Sequence, residues 1–175
     1  YHDRVAARYD DIYDTDYWRL YRDVSWRHLV RFLPAARPGW AADLGCGTGW
    51  FGVRLLKSGL HTAFVDPSGN MLERARQAAE PEARRGLETT FLQAGLEDLR
   101  QLADASLAFA TAQGDPLSFC EDPLAALREV RRCLAPGAAF VLSVDSRVAG
   151  VRSLLDAGRA DEALALLRGG RTEWR

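Results

Sequence analysis

Ala42-Asp-Leu-Gly-Cys-Gly-Thr-Gly49 is the stretch that decides how this chain reads. A short β-rich run, Trp40 to Leu44, leads into it. A helical pattern through Val53, Leu55 and Leu56 leaves it and stops at Ser58-Gly59. A strand that turns through closely spaced glycines into a helix opens a βαβ unit, and the glycines let backbone approach a ligand or adopt positive φ. Outward from there the alternation continues. His61 to Val65 predicts a second strand. Asp66-Pro67-Ser68 then opens a helix with Ser68 as N-cap and with Met71, Leu72 and Ala75 on one face. Thr89 to Gln93 predicts a third strand and Leu107 to Ala112 a fourth. Asp122-Pro123 puts an N-cap and a first-turn proline before another helix. The buried stripe of that helix is expected at Leu124, Leu127, Val130, Cys133 and Leu134, with Pro136-Gly137 as its stop. Ala138 to Val144 predicts a fifth strand, apolar enough for burial on both faces.

Strands alternating with helices predict an α/β fold: a Rossmann-like, doubly wound, mainly parallel sheet with helices on both sides. Towards the start of the chain, Val5, Tyr9, Ile12, Tyr13, Tyr17, Leu20, Tyr21, Val24, Leu29, Phe32 and Leu33 recur at helical spacing, so residues 1–33 read as helix, closed by Pro34 and Pro38-Gly39. After Asp145, the pattern Val151, Leu154, Leu155, Ala163, Leu164, Leu166, Leu167 predicts helix again, broken at Gly169-Gly170. The expected organisation is a helical cap over 1–38, a cofactor-binding core over 39–146 and a helical segment over 147–175.

Composition narrows the class. At 175 residues, 47% hydrophobic and 27% charged, the chain has the make-up of one globular domain. A net charge of -1 supplies no basic field for nucleic acid. No apolar run approaches the roughly eighteen residues that a membrane span needs. The chain opens on the polar, aromatic stretch Tyr1-His2-Asp3-Arg4, from which no signal peptide is expected. Cys46, Cys120 and Cys133 are widely spaced without a CxxC pair, which predicts a reducing, cytoplasmic setting and neither a disulfide framework nor a metal site. The first residue is Tyr and the sole methionine, Met71, is internal, so the native gene is expected to start earlier. Nothing in the pattern points to an oligomeric state.

In open α/β sheets the ligand lies at the carboxyl ends of the strands beside the topological switch point. Gly45 to Gly49, Asp66, Gly95 to Glu97 and Gln113 all follow strand ends and are expected around one crevice. The helix after the glycines offers free N–H groups and a positive dipole end to an anion. A carboxylate at Asp66 can accept two hydrogen bonds from vicinal ribose hydroxyls. The residues therefore ask for a ribose-containing ligand with a small anionic group. Two classes fit. Gly47-Thr-Gly49-Trp-Phe-Gly52 spells G-x-G-x-x-G, the pattern of nicotinamide dinucleotide sites and thus of an oxidoreductase. Against it, Gly45 and Cys46 separate strand from pattern, and Asp43 ends the strand where such sites use an apolar residue. An acidic residue followed by G-x-G-x-G points instead to S-adenosylmethionine.

Ala42-Asp-Leu-Gly-Cys-Gly-Thr-Gly49 resembles the first motif of class I S-adenosylmethionine-dependent methyltransferases, and Val65-Asp-Pro-Ser-Gly-Asn-Met-Leu72 resembles their second. Leu124 to Gly137 is similar to their helix before strand five, and Val5-Ala-Ala-Arg-Tyr-Asp10 to the N-terminal cap of the methyltransferase type 11 group, related to ubiquinone and menaquinone biosynthesis enzymes. The resemblance covers about residues 1 to 146. It implies a methyltransferase that moves a methyl group from S-adenosylmethionine to a small-molecule acceptor by direct in-line displacement. It further implies that Asp43, Gly45, Cys46 and Gly47 line the methionine moiety, mostly through backbone, and that Asp66 holds the ribose. Pro67 and Met71 would flank the adenine, Leu96 and Glu97 would meet its other face or edge, Gln113 would lie near the methionine chain, and Tyr9 would close over the cofactor. Two departures stand out. Where the family often has an Asp after strand three, this chain has Gly95, so backbone or Glu97 takes that place or adenine is held less specifically. The family's terminal antiparallel hairpin has no counterpart up to Arg175, which would leave strand five an open apolar edge and predicts further residues in the native gene; together the two departures also leave a non-catalytic cofactor-binding module as an alternative.

Other residues have plainer readings. The stripe Tyr9, Tyr13, Tyr17, Trp18, Tyr21 and Trp26 reads as a cap docked by aromatic burial, with Tyr9 set apart by its match to the family. His28 and His61 read as surface or structural, and Cys46 as structural, since no base lies near it in sequence. Asp115 reads equally as a polar turn or as a group facing the acceptor. Arg84-Arg85 and Arg131-Arg132 read as solvated helix faces.

Overall fold

The structure is a computed structural model that describes residues 13–36 and 39–169. The predicted cap residues Val5 to Asp10, Tyr9 among them, lie outside the described residues. Among the described residues the sheet has five strands in the order β3-β2-β1-β4-β5. They are β1 (Trp40–Leu44), β2 (His61–Asp66), β3 (Thr89–Gln93), β4 (Leu107–Ala112) and β5 (Leu134–Leu142). Every pairing is parallel. The order reverses at β1, so the switch point falls between β1 and β4, where the expected crevice lies.

Side-chain alternation along the strands sorts the core into two layers. Ala42 and Leu44 of β1, Ala63 and Val65 of β2 and Ala110 and Ala112 of β4 face one side, against Ala126, Val130 and Cys133 of the helix Pro123–Cys133. Ala41 and Phe109 face the other side, with Phe51 and Leu55 of the helix Trp50–Lys57 and Leu29 of the helix Asp16–Leu29. Phe64 faces that side too, with Leu72, Ala75 and Ala79 of the helix Gly69–Ala83. In chain order these helices are α1 (Asp16–Leu29), α2 (Trp50–Lys57), α3 (Gly69–Ala83) and α4 (Pro123–Cys133). Two more, α5 (Arg147–Asp156) and α6 (Ala160–Leu167), follow β5 and share a small cluster of Leu154, Ala163 and Leu166. The chain divides into two compact units, one ending at Ser143 and the other beginning at Val144.

Helix starts follow the predicted caps. Ser68 Oγ accepts from Met71 N at 3.2 Å, and Asp122 Oδ1 accepts from Leu124 N and Ala125 N at 3.0 Å each. His61 is structural: its Nδ1 accepts from Glu88 N at 2.9 Å at the head of β2.

Four expectations are corrected. The described part of the cap is not one helix to residue 33. Thr15 caps the start of α1, and a short 3-10 turn, Val30–Phe32, follows it. Its apolar spacing does not mark a buried stripe either: Leu29 is buried, but Tyr17 is 68% and Leu20 64% exposed. In α4 the buried positions are Ala126, Val130 and Cys133, while Leu124 is 63% exposed. Small Ala126 lets the helix lie close to the sheet and turns the two leucines outwards. β5 begins at Leu134 and takes in Pro136-Gly137, with an irregular register between Leu107 and Phe109, and it is only partly buried because it has a strand neighbour on one side. Arg132 is not a solvated residue. Its guanidinium donates to Leu99 O and Leu102 O at 2.9 Å each and to Asp104 Oδ1 at 2.6 Å. Glu129 Oε2 accepts from Leu99 N at 3.1 Å. These bonds fasten the loop after β3 to α4.

Candidate cofactor site

The glycine loop between β1 and α2 is built by backbone that only glycine adopts easily. Gly45, Gly47 and Gly49 have φ of 69°, 52° and 87°. The loop is tied to β2, since Gly45 N and Cys46 N both donate to Val65 O, at 2.8 and 2.9 Å. Gly45 is also required by space: a Cβ there would lie 2.5 Å from Pro116 Cγ, so the proline ring closes directly over the loop.

Asp66, at the tip of β2, joins the two predicted motifs. Its Oδ2 accepts from Gly47 N at 2.8 Å and its Oδ1 from Ser68 N at 2.9 Å. An ionised carboxylate has about four lone-pair positions, and these two amides use two of them. Beside it opens a cleft of about 200 Å³. Gly45, Gly47, Asp66, Pro67, Met71, Leu96, Glu97 and Gln113 line this cleft together.

Asp43 and Cys46 are placed otherwise. Neither lines the cleft. Asp43 is 2% exposed and its Oδ2 accepts from Gly52 N of α2 at 2.7 Å. Burial pushes its carboxyl up to about 7; the Gly52 bond opposes that shift and the nearby Asp66 adds to it. Cys46 packs among Leu56, Phe64 and Leu72, and burial raises its thiol, so the structure agrees with a structural role.

Sequence reasoning missed the wall opposite the glycine loop. Gly114, Pro116, Phe119 and Cys120, which follow β4, also line the cleft. The dipeptide Asp115-Pro116 was their visible trace. Asp115 itself is a turn residue, with φ of 64°, ahead of the 3-10 turn Pro116–Phe119. Burial and the carboxylate of Glu97 push the Cys120 thiol up to about 11, which keeps it protonated. Gln113 Nε2 donates to Thr111 Oγ1 and to Val141 O, at 3.2 Å each, which orients the side chain at the cleft. Gly95 lines the cleft as well, and a Cβ built there would lie 3.2 Å from Glu97 Oε2. The Glu97 carboxylate thus stands over the position where an acid was expected. No Lys or Arg is among the described residues that line the cleft.

A family profile described as a methyltransferase domain matches residues 41–137. The chain belongs to the methyltransferase-domain family. That family is one of S-adenosylmethionine-dependent methyltransferases, so the cofactor that the glycine loop implied is the family's own. A malonyl-[acyl-carrier protein] O-methyltransferase of Erwinia pyrifoliae is 34% identical over 116 residues, which cover 65% of this chain and 41% of that protein. The methyltransferase-domain chain therefore spans well under half the length of that relative. A Methanococcus maripaludis protein, solved as a candidate S-adenosylmethionine-dependent methyltransferase, matches with a TM-score of 0.66 at 20% identity, over 95% of this chain and 74% of that one. The [4+2]-cyclase SpnF matches with a TM-score of 0.60 at 21% identity, over 74% of this chain and 47% of that one. These two structural likenesses establish the Rossmann-like fold, which by itself fixes no reaction.

Proposed function

We propose that this protein is an enzyme that transfers the methyl group of S-adenosylmethionine to a small-molecule acceptor. The observation that carries the reading is the bond from Gly47 N to Asp66 Oδ2, which brings the glycine loop and the acidic tip of β2 to one cleft. The residues present fit the cofactor. Gly45 and Gly47 present backbone without side chains, Asp66 lines the cleft with a carboxylate, the group that accepts from ribose hydroxyls, and Pro67, Met71 and Leu96 offer apolar surface to a flat base. Glu97 stands where the base's amino edge would be met, with Oε1 already anchored by Glu121 N at 2.9 Å and Oε2 over Gly95.

When bound, S-adenosylmethionine supplies a methyl group already activated by its sulfonium. The chain's part is then to hold, orient and dry the site, and correct positioning alone can supply most of the acceleration. Phe119 and Cys120 add apolar surface to the cleft, Cys120 beside Glu97. The lack of cationic lining among the described residues favours a small molecule over a nucleic acid. The Erwinia relative is named for an acceptor carried on a protein; an acyl thioester is the first acceptor class to try here.

Calorimetric titration tests the reading. S-adenosylmethionine and its demethylated product S-adenosylhomocysteine should bind at micromolar levels, and NADH should not. Binding of NADH alone would favour the dinucleotide reading of Gly47 to Gly52. The third glycine of that pattern already has a packing role, since a Cβ on Gly52 would lie 2.1 Å from Phe64 Cε1.

A further inference from the structure

Beside the ends of β4 and β5 lies a pair of hydroxyls, neither of which belongs to the residues lining the cleft. Tyr21 of α1 places its Oη 2.9 Å from Ser143 Oγ, across 122 residues of sequence. Gly114 N donates to both oxygens, at 3.1 Å to Tyr21 and 3.0 Å to Ser143. The next amide, Asp115 N, donates to Ser143 Oγ at 3.1 Å. Asp115 is in the left-handed region, which a residue with a side chain keeps only when its surroundings hold it there. The turn delivers Pro116, whose ring takes up the space beside Gly45. A continuous line of contacts thus runs from α1, through two hydroxyls and a strained turn, to the glycine loop.

We infer that Tyr21 and Ser143 are positioning residues: their hydroxyls clasp the Gly114–Asp115–Pro116 turn and so hold Pro116 closed over Gly45, which sets how tightly the cleft grips its ligand. The inference rests on the cofactor reading of that cleft. The two hydroxyls are not equivalent. Without Tyr21 Oη the Gly114 amide keeps Ser143 as acceptor. Without Ser143 Oγ the Asp115 amide loses the acceptor that holds the strained residue, and an amide left without an acceptor carries its full desolvation cost.

The test compares the unaltered protein with Tyr21→Phe, Ser143→Ala and Ser143→Thr. Two readouts are taken: the Kd for S-adenosylhomocysteine by calorimetry, and amide hydrogen exchange at Gly114 and Asp115 by NMR. Ser143→Ala should weaken binding about tenfold and Tyr21→Phe about threefold. Ser143→Thr, which keeps the hydroxyl, should restore binding to within about twofold of the unaltered protein. Exchange at Asp115 should quicken in Ser143→Ala while the amides of β1 stay protected, which separates loss of the clasp from loss of the fold. Unchanged binding in both Tyr21→Phe and Ser143→Ala overturns the inference and leaves the cofactor reading intact. A loss in Ser143→Ala that Ser143→Thr does not repair also overturns it. No binding by the unaltered protein overturns the cofactor reading, and the inference with it.

Discussion

β1 and β2 pair without interruption and are buried along almost their whole length, whereas β4 and β5 pair through an irregular register and β5 is only half covered. The β1–β2 half ends on a glycine loop and on Asp66, joined by backbone and by one carboxylate. The β4–β5 half ends on a turn held by side chains from distant segments, Tyr21 and Ser143, and its flank is fastened by Arg132. The contrast separates two ways of building a site. One wall is written into consecutive residues whose backbone must take a particular shape. The other is assembled by long-range hydrogen bonds between segments far apart in the chain.

The largest effect expected is in the β1–β2 half. Asp43 has a folded pKa of about 7 against an ordinary value of 3.8, so the folded chain binds its proton more tightly than the unfolded chain does. Its contribution is fully present below about pH 4 and is lost as pH rises towards 7, with a slope on the order of 1 kcal/mol per pH unit. Asp43→Asn keeps an oxygen for Gly52 N and should flatten that slope; denaturant unfolding at pH 4, 5.5 and 7 measures it. Equal slopes in both proteins would show that Asp43 is ionised in the fold.

Next comes the contact between α2 and β2. Gly52→Ala puts a Cβ against the Phe64 ring, which is itself stacked on Phe91 at 4.9 Å and has little room to move. A loss of about 3 kcal/mol in unfolding free energy is expected, despite the better helix propensity of alanine. In the other half, Arg132→Ala takes the guanidinium from Leu99 O, which keeps Leu102 N as a donor, and from Leu102 O, which keeps only the long contact with Cys133 Sγ, and should cost about 2 kcal/mol. It should also speed amide exchange across residues 95–104 more than in β1. The smallest effect belongs to the start of α4, where Asp122→Ala removes an N-cap and should lower stability by about 1 kcal/mol. If Arg132→Ala loosened both halves equally, the contrast between them would be gone.

The same contrast explains what was legible in the sequence. β1, β3 and β4 were read to their ends, and β2 within a residue, because Gly, Pro and cap residues punctuate them. That Asp66, Gly45 and Gly47 meet at the cleft was legible because their placement depends on backbone shape and strand-end position. Asp43 and Cys46 were read as cofactor neighbours from motif position, yet one residue of strand alternation turns the Asp43 side chain towards α2. Leu124 and Leu127 misled because helical spacing tells which residues share a face, and small Ala126 determines which face lies down. Tyr21 was read only as part of an aromatic stripe, and Ser143 was not singled out at all. Their partnership spans the chain, and no local pattern announces it.

The central claim is that the glycine loop and Asp66 together hold an adenosyl ligand. Crystals grown with S-adenosylhomocysteine test it most directly. The account predicts both ribose hydroxyls within hydrogen-bond distance of the Asp66 carboxylate and the amino-acid end against the backbone of Gly45 and Gly47. Density for the ligand in another part of the molecule, with the Asp66 carboxylate out of reach of both ribose hydroxyls, would contradict it.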